Sequence, residues 1–515
     1  MRRLILLLLA LLLPGLVAAQ GVVTSAAPEK VSVSVYRDPE RGGGGELHLA
    51  TLSGFALISE TRTIDLPAGE AEVRFEGVAD GMIAVSAIVT GLPGGTVEKN
   101  RDAVLLSPAS LVDGSLGNRV MLRRTDRATG AVRDEEAIVR SSAAGAVVVE
   151  TDAGLETLRC TGLPETLVYN GVPAGLGARP TFSVRTRSAA ATRATVKLTY
   201  LAIGFDWTAH YVAEISEKGD SADLLVWLTV ANSNGASFAD AALYALAGTL
   251  NVDSDYKFLG TPPAAEPLML RCFPSGSGRM AVPLMPQSVL PAPPAPSAMA
   301  DEIVVTGMRM ERASYNLAVA VVAEMENLGD LKLYRVPVPV TVAANGQKQV
   351  ALLVKQDVPV RRLYQLTVYP GNGEDMGTSH LLRIDNRRGK GLAEPLPSGV
   401  VTFFQTAAGE RRFVGASALR DHAVGEEVDM LAGESSQVRF TERRLGDPEN
   451  GTQQLQAELT NANPWPVDVE VRFDIDPDGK PDRVFGRLPR KDGYSLWAVR
   501  VPANGSRTLD YRVTE

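Results

Sequence analysis

Val336-Pro337-Val338-Pro339-Val340-Thr341-Val342 places a valine at every second position, and Asn345-Gly346 follows, a dipeptide that tolerates the positive φ of a tight hairpin turn. Period two is the spacing of a strand with one buried face. Val31-Ser32-Val33-Ser34-Val35-Tyr36 and Val469-Glu470-Val471-Arg472-Phe473 alternate in the same way. Asn-Gly begins at residues 170, 234, 345, 372, 450 and 504, and Asp-Gly at 80, 113, 478 and 492. Turns at that density predict antiparallel sheet. Helical periodicity is scarce, with short candidates only at 108–111 and 239–246. The expected fold class is all-β.

The chain has 515 residues, enough for roughly three domains and sizeable cores. Its 52 Lys and Arg against 60 Asp and Glu give a net charge of −8 without a dense basic run, which disfavours nucleic-acid or anionic-membrane binding. At the start, Met1-Arg2-Arg3, the apolar run 4–13 and Val17-Ala18-Ala19 have the pattern of a signal peptide cut after Ala19. No later segment approaches ~18 uninterrupted apolar residues. The expectation is a mature protein without a membrane span, periplasmic or secreted. In such an oxidising compartment, Cys160 and Cys272 are a candidate disulfide closing a 112-residue loop. Two unrelated thiols are the alternative.

The expected organisation is a signal peptide over 1–19, an amino-terminal β domain over 20–188, a first β-sandwich module over 189–355 and a second over 356–515. Residues 117–160 read as short strands joined by tight turns, similar to a small SH3-like barrel. A Pro/Met-rich insert at 273–310 includes Pro291-Ala292-Pro293-Pro294-Ala295-Pro296, a composition excluded from central strands. The two modules carry a weak repeat. Residues 342–348 are similar to 501–507, and Leu228-Thr229-Val230-Ala231-Asn232 is similar to Leu459-Thr460-Asn461-Ala462-Asn463. In that alignment the first copy carries 72 extra residues, since 113 separate Asn232 from Asn345 and 41 separate Asn463 from Asn504.

Several stretches carry a family resemblance: Gly204-Phe205-Asp206-Trp207-Thr208-Ala209-His210-Tyr211, Ser237-Phe238-Ala239-Asp240-Ala241, residues 386–399 and Val424-Gly425-Glu426-Glu427-Val428. Over about 190–515 the chain resembles a bacterial exported family of unknown function, often labelled mucoidy-inhibitor-like. Its most specific piece is Leu392-Ala393-Glu394-Pro395-Leu396-Pro397-Ser398-Gly399. Upstream, Leu66-Pro67-Ala68-Gly69-Glu70 before Val73-Arg74-Phe75-Glu76-Gly77 is similar to the family's companion amino-terminal domain. The heptads of the longer members' coiled-coil hairpin do not occur here. The resemblance implies no catalytic residues. Residues 301–309 also resemble the segment that opens many TonB-dependent outer-membrane receptors, a strand-prone peptide suited to adding to another sheet.

Chemistry-bearing residues are sparse. The histidines are His48, His210, His380 and His422, and no Gly-x-Ser-x-Gly elbow presents a serine to them. Neither His-x-x-x-His nor Cys-x-x-Cys spacing occurs, which removes the common zinc arrangements. The best metal candidate is a calcium loop, with Asp474, Asp476, Asp478 and Asp482 at ligand positions 1, 3, 5 and 9 and Gly479 at 6. Phe485 stands at position 12 where a glutamate is usual, and a plain Asp-Gly hairpin turn explains the same residues. Six of twelve methionines fall between 269 and 310, which a linker's apolar contacts or Cu(I) binding would each accommodate.

These observations favour a non-enzymatic envelope scaffold, adhesion or partner-binding module whose partner is a protein or a glycan, with no cofactor beyond possible calcium. The alternative is an envelope hydrolase with a carboxylate site, for which Glu394, Glu426 and Glu427 are the first candidates.

Overall fold

The structure, a computed structural model, describes residues 21–41, 45, 47–102, 106–126, 128–142, 147–158, 165–173, 176–248, 259–260, 321–371, 375–407, 409–474 and 488–514. Residues 1–19, the insert 273–310, Cys160, Cys272, Asp476, Asp478 and Asp482 lie outside them. Strand accounts for 63% and helix for 4%, so the chain is all-β. No described helix is long and apolar enough to cross a membrane. The described residues divide into two compact units, the smaller within 104–178.

In the smaller unit Ser107 caps an α-helix, α1 (Pro108–Gly114), its Oγ accepting from Ser110 N at 3.1 Å with Pro108 at the first helical position. Five antiparallel strands follow in the order β10 (Gly154–Thr157), β9 (Val148–Thr151), β8 (Val132–Val139), β7 (Arg119–Thr125) and β11 (Thr166–Val168). Val112, Val120, Leu122, Val139 and Val149 form its core. The expected small barrel does not close. The outer strands, of four and three residues, pair only inward, so the sheet lacks the ladder that closure needs.

In the larger unit, three sheets share one core. One is β1 (Gly21–Ser25), β4 (Gly69–Glu76), β12 (Thr181–Ser188) and β6 (Glu98–Asp102), in that order. The next is β17 (Glu324–Leu328), β18 (Leu331–Arg335), β16 (Phe238–Ala247), β2 (Lys30–Tyr36), β3 (Phe55–Leu66), β13 (Thr192–Ile203) and β5 (Ile88–Thr90), with β19 (Val340–Val342) also on β16. This sheet takes strands from both sides of the boundary expected at 188. The third is β20 (Gly346–Pro359), β15 (Ser221–Asn232), β14 (Phe205–Ile215), β23 (Gly399–Ala407) and β24 (Glu410–Leu419).

A fourth sheet encloses a second core that includes Leu366, Phe440, Leu459, Val471, Phe473 and Tyr511. Its order is β28 (Arg490–Lys491), β29 (Tyr494–Val501), β27 (Val467–Phe473), β21 (Arg361–Val368), β22 (Met376–Asp385), β25 (Glu427–Arg444), β26 (Thr452–Asn461) and β30 (Gly505–Thr514).

The repeat is a repeat of topology. β16 runs parallel to β2, as β27 does to β21; β2 pairs with β3, as β21 does with β22; β3 pairs with β13, as β22 does with β25. β14–β15–β20 then corresponds to β25–β26–β30, and β16–β19 to β27–β29. β25 does in one length what β13 and β14 do on either side of Gly204 (φ 83°), with Gly433 (φ 148°) at the bend.

Buried asparagines fix the register of this repeat. Asn461 Nδ2 donates to Trp465 O and Pro502 O, both at 2.9 Å, and its Oδ1 accepts from Asn463 N and Nδ2. Asn504 N then donates to Asn463 O at 3.0 Å. In the first copy Asn232 donates to Ala236 O and Ala343 O, accepts from Asn234 N and Nδ2, and Asn345 N donates to Asn234 O. Asn232 therefore corresponds to Asn461, two residues away from the expected alignment. With 43 residues between Asn461 and Asn504 against 113, the first copy carries 70 extra residues rather than 72.

The larger inserts also occupy equivalent places. The connection β3→β13 holds the smaller unit, while β22→β25 holds the hairpin β23–β24, whose first strand runs parallel to β14 of the other copy. Residues 239–246, a short helical candidate, lie in β16, where Leu243 and Ala245 are buried between β2 and β18. Only 340–342 of the opening Val-Pro alternation is strand, because Pro337 and Pro339 have no N–H for a ladder.

Asn461→Ala leaves the carbonyls of Trp465 and Pro502 and the Asn463 amide without partners in a site 2% exposed. It should lower stability by about 3 kcal/mol, and Asn232→Ala should do the same for the first copy, both measured by urea unfolding.

Candidate binding cleft

Residues 394–398 form a strap. Pro395 and Pro397 have no N–H, so 394–398 cannot join a sheet as a regular strand. Its carbonyls are fastened one by one instead. Asn386 Nδ2 reaches Glu394 O at 2.7 Å, Tyr334 OH reaches Pro395 O at 3.5 Å, His422 N reaches Leu396 O at 2.9 Å and Tyr211 OH reaches Pro397 O. Ser398 O accepts from Arg37, whose guanidinium also bonds Ser398 Oγ and Asp421 and stacks on Trp207 at 4.6 Å. Gly399 ends the strap, where a Cβ would collide with the Ala209 carbonyl. Burial pushes the Tyr211 hydroxyl far up, which keeps it a neutral donor.

The three candidate acids do not converge. Glu394 lines a recess of about 390 Å3 in the first copy, with Tyr211, Met325 and Tyr334, and pairs with Lys355 at 3.1 Å. Glu426 and Glu427 instead line an open cleft of about 740 Å3 in the second copy, with Arg387, Arg420, His422, Asp429, Arg472, Lys491 and Asp492.

Charges in this cleft are balanced and largely spoken for. Arg420 bonds Glu426 at 2.7 Å, Lys491 bonds Glu427 at 2.6 Å, and Arg383 behind them grips Asp429 at 2.5 Å and Glu470 at 2.6 Å. Arg383 is buried, and although burial works against its charge, Asp429 and Glu470 more than offset it and raise its pKa. Burial likewise pushes Glu426, Asp429 and Glu470 up. Their cationic partners and, for Glu426, the Ala423 N–H outweigh it, leaving all three carboxyls below their ordinary values. The Lys491 ammonium, with Arg383, does the same for Glu427 against a smaller burial effect. Arg472 differs: its Nε is buried and has no acceptor among the described residues, while Asp492 stands 3.8 Å from its outer nitrogen and Tyr494 beneath it.

His422 is 6% exposed and hydrogen-bonds Glu426 through Nδ1 at 3.1 Å. Burial, then Arg420, lowers its pKa despite Glu426. His210 pairs with Thr229 on β15, and His380 stacks on Tyr364 at 5.2 Å with Nε2 buried and unbonded among the described residues. Burial lowers both, with smaller contributions from Arg41 and Arg362 respectively. Asp474 follows β27 directly, its carboxylate hydrogen-bonded by the Tyr369 hydroxyl. Among the described residues no group of three or more His, Cys, Asp or Glu is placed to hold a metal ion. Of the basic lining, Arg387 falls in the quoted stretch 386–399, but Arg420, Arg472 and Lys491, and Arg383 behind them, were not singled out in the sequence; Lys491 meets Glu427 across 64 residues and Arg383 meets Glu470 across 87.

No family model matches the chain, and no curated protein matches it.

Two outcomes are expected. Tyr211→Phe strips Pro397 O of its buried donor and should cost about 1–3 kcal/mol in urea unfolding. Acid should weaken the fold early. His210, His380 and His422 take up protons below 6.5 more readily unfolded than folded, so their effect on stability is absent well above that pH and increasingly unfavourable as pH falls through it. The melting temperature measured from pH 8 to pH 5 should drop, and His380→Gln should make the drop shallower.

Proposed function

We propose that this chain is an exported, non-enzymatic β-sandwich protein of the cell envelope whose second copy holds a protein or glycan partner in the charged cleft. The observation that carries this reading is the pairing of the cleft's acids. A carboxylic acid serving as proton donor near neutral pH needs a pKa raised by its surroundings. Glu426, Glu427 and Asp429 are all held low and committed to cations. A cleft lined by fixed charges of both signs suits recognition by many polar contacts. The buried Nε of Arg472 adds a donor that a ligand carbonyl, hydroxyl or carboxylate would satisfy. The signal-like start and the resemblance to the mucoidy-inhibitor-like family support the envelope location.

The hydrolase reading keeps one supporting observation, the His422–Glu426 hydrogen bond beside the cleft, with an imidazole that burial keeps neutral at pH 7. Calcium at Asp474, Asp476, Asp478 and Asp482 remains a separate proposal, and a melting temperature unmoved by millimolar calcium would remove it.

A photo-crosslinking residue in place of Arg420, which is well exposed, tests the binding reading in intact cells. A discrete adduct is expected, weakened on the order of tenfold by Arg472→Ala, a difference of ~1.4 kcal/mol. An adduct unaffected by that change, or none at all, would sink the binding role. Release of sugar or peptide fragments from purified envelope, lost in Glu426→Gln, would establish the hydrolase instead.

A further inference from the structure

Two strands stand apart by their exposure. β17 ends the seven-strand order of its sheet, and all five of its residues are exposed, Met325 and Leu328 among them. β24 ends the order of the third sheet, and residues 410–414 are exposed, with Phe413 at 65%. Among the described residues each strand hydrogen-bonds on one side only; β24 lies against Ala432 of β25 at Gly415, so its free row of backbone donors and acceptors is 410–414. Edges of this kind attract other strands.

Their charges are opposite. β17 carries Glu324 and Glu326, and β24 carries Arg411 and Arg412 after Glu410. Arg411 is engaged by Glu214 at 2.6 Å and lies over Phe404. Glu326 and Arg412 are in no ion pair among the described residues, so each can answer a charge from outside. Charged edges ordinarily keep sheets apart. Here β17 against β17 brings glutamates together and β24 against β24 brings arginines together, while β17 against β24 does neither.

We propose that β17 of one copy of this chain adds to β24 of a second copy, antiparallel, with Glu326 opposite Arg412. That register sets Met325 opposite Phe413 on the other face, a thioether against an aromatic ring, and Asn327 opposite Arg411. The two edges are different surfaces, so the contact is head-to-tail and leaves one edge of each kind free for the next copy. It generates a ring or a filament. The contact does not involve the cleft.

Sedimentation of the full-length chain over a range of concentrations decides it. The wild-type protein should associate as concentration rises, and less so in high salt, which screens exposed charges. Glu326→Arg and Arg412→Glu should each lower the association constant about tenfold. Mixing the two variants, or combining both changes in one chain, restores opposite charges and should restore association. Arg472→Ala should associate as wild type does, which separates this proposal from the cleft. A wild-type monomer at every concentration, single variants that associate normally, or a charge swap that restores nothing would each overturn it. Both positions are exposed, and an unchanged melting temperature verifies that the variants fold.

Discussion

Asn461 stands where β26 leaves its sheet, and four hydrogen bonds converge on its side-chain amide: two donated to carbonyls of separate turns, two accepted from Asn463. Water is excluded there, so each bond counts more than at a surface, and an unmade one costs its full desolvation. The amide fixes where β26 ends, where β27 begins and where the turn into β30 must sit. Asn232 imposes the same three conditions on β15, β16 and β20. With these corners set, the strands of each copy have one register, and the connections β3→β13 and β22→β25 are free to carry very different lengths. One holds β4, β6 and β12, three of the four strands of an additional sheet, and the smaller unit. The other holds the proline strap and a hairpin that laces the second copy onto the first through β14 and β23.

Much of the fold was legible because it is written locally. Asn345, Asn450, Asp492 and Asn504, each the first residue of a turn dipeptide, adopt positive φ as hairpin turns require. Alternation in 31–36 and 469–473 marked true strands. Local signals failed where tertiary context decides. Residues 239–246 are rich in alanine and leucine, yet two flanking strands claim them for β16. The alignment of the repeat slipped by two because Leu-Thr at 228–229 imitates Leu-Thr at 459–460, whereas the corresponding feature is the corner asparagine. The cleft was only half visible. Its glutamates stood in a recognisable stretch, and Arg420, the partner of Glu426, lies six residues away, but Arg383, Arg472 and Lys491 come from β22, β27 and β28, and only the folded sheet brings them together.

Electrostatics in this protein is mostly internal. Arg383 serves Asp429 and Glu470, Arg37 serves Ser398 and Asp421, Arg41 serves Asp206, and each guanidinium does so while largely removed from water. Planar, multi-donor groups suit this work, since they hold two carboxylate oxygens or a carboxylate and a carbonyl at once. Such pairs offset their own desolvation more than they add stability. Their effect is geometric: they hold β22, β25 and β27 in one arrangement and leave the cleft's charges standing at fixed positions.

β3 also carries a buried pair, Glu60 and Arg62, both fully shielded between Ile58 and Ile64 on the inward face of the strand. Arg62 bonds Glu60 at 2.7 Å and the carbonyls of Ser25 and Glu76, while Tyr200 OH closes on Glu60 at 2.8 Å. The tyrosine follows Glu60 by 140 residues. At about 5–20 residues per second, a ribosome delivers it roughly 7 to 30 s after the acid it must satisfy. Until then β2 and β3 form at best an open hairpin whose inner face holds an unfinished charge pair. β13 and β16, the strands that flank the hairpin, arrive later still than the residues they cover. The first copy therefore cannot complete itself while its own beginning is being made, and for those seconds a strand-rich, half-assembled sheet is available to any other chain nearby.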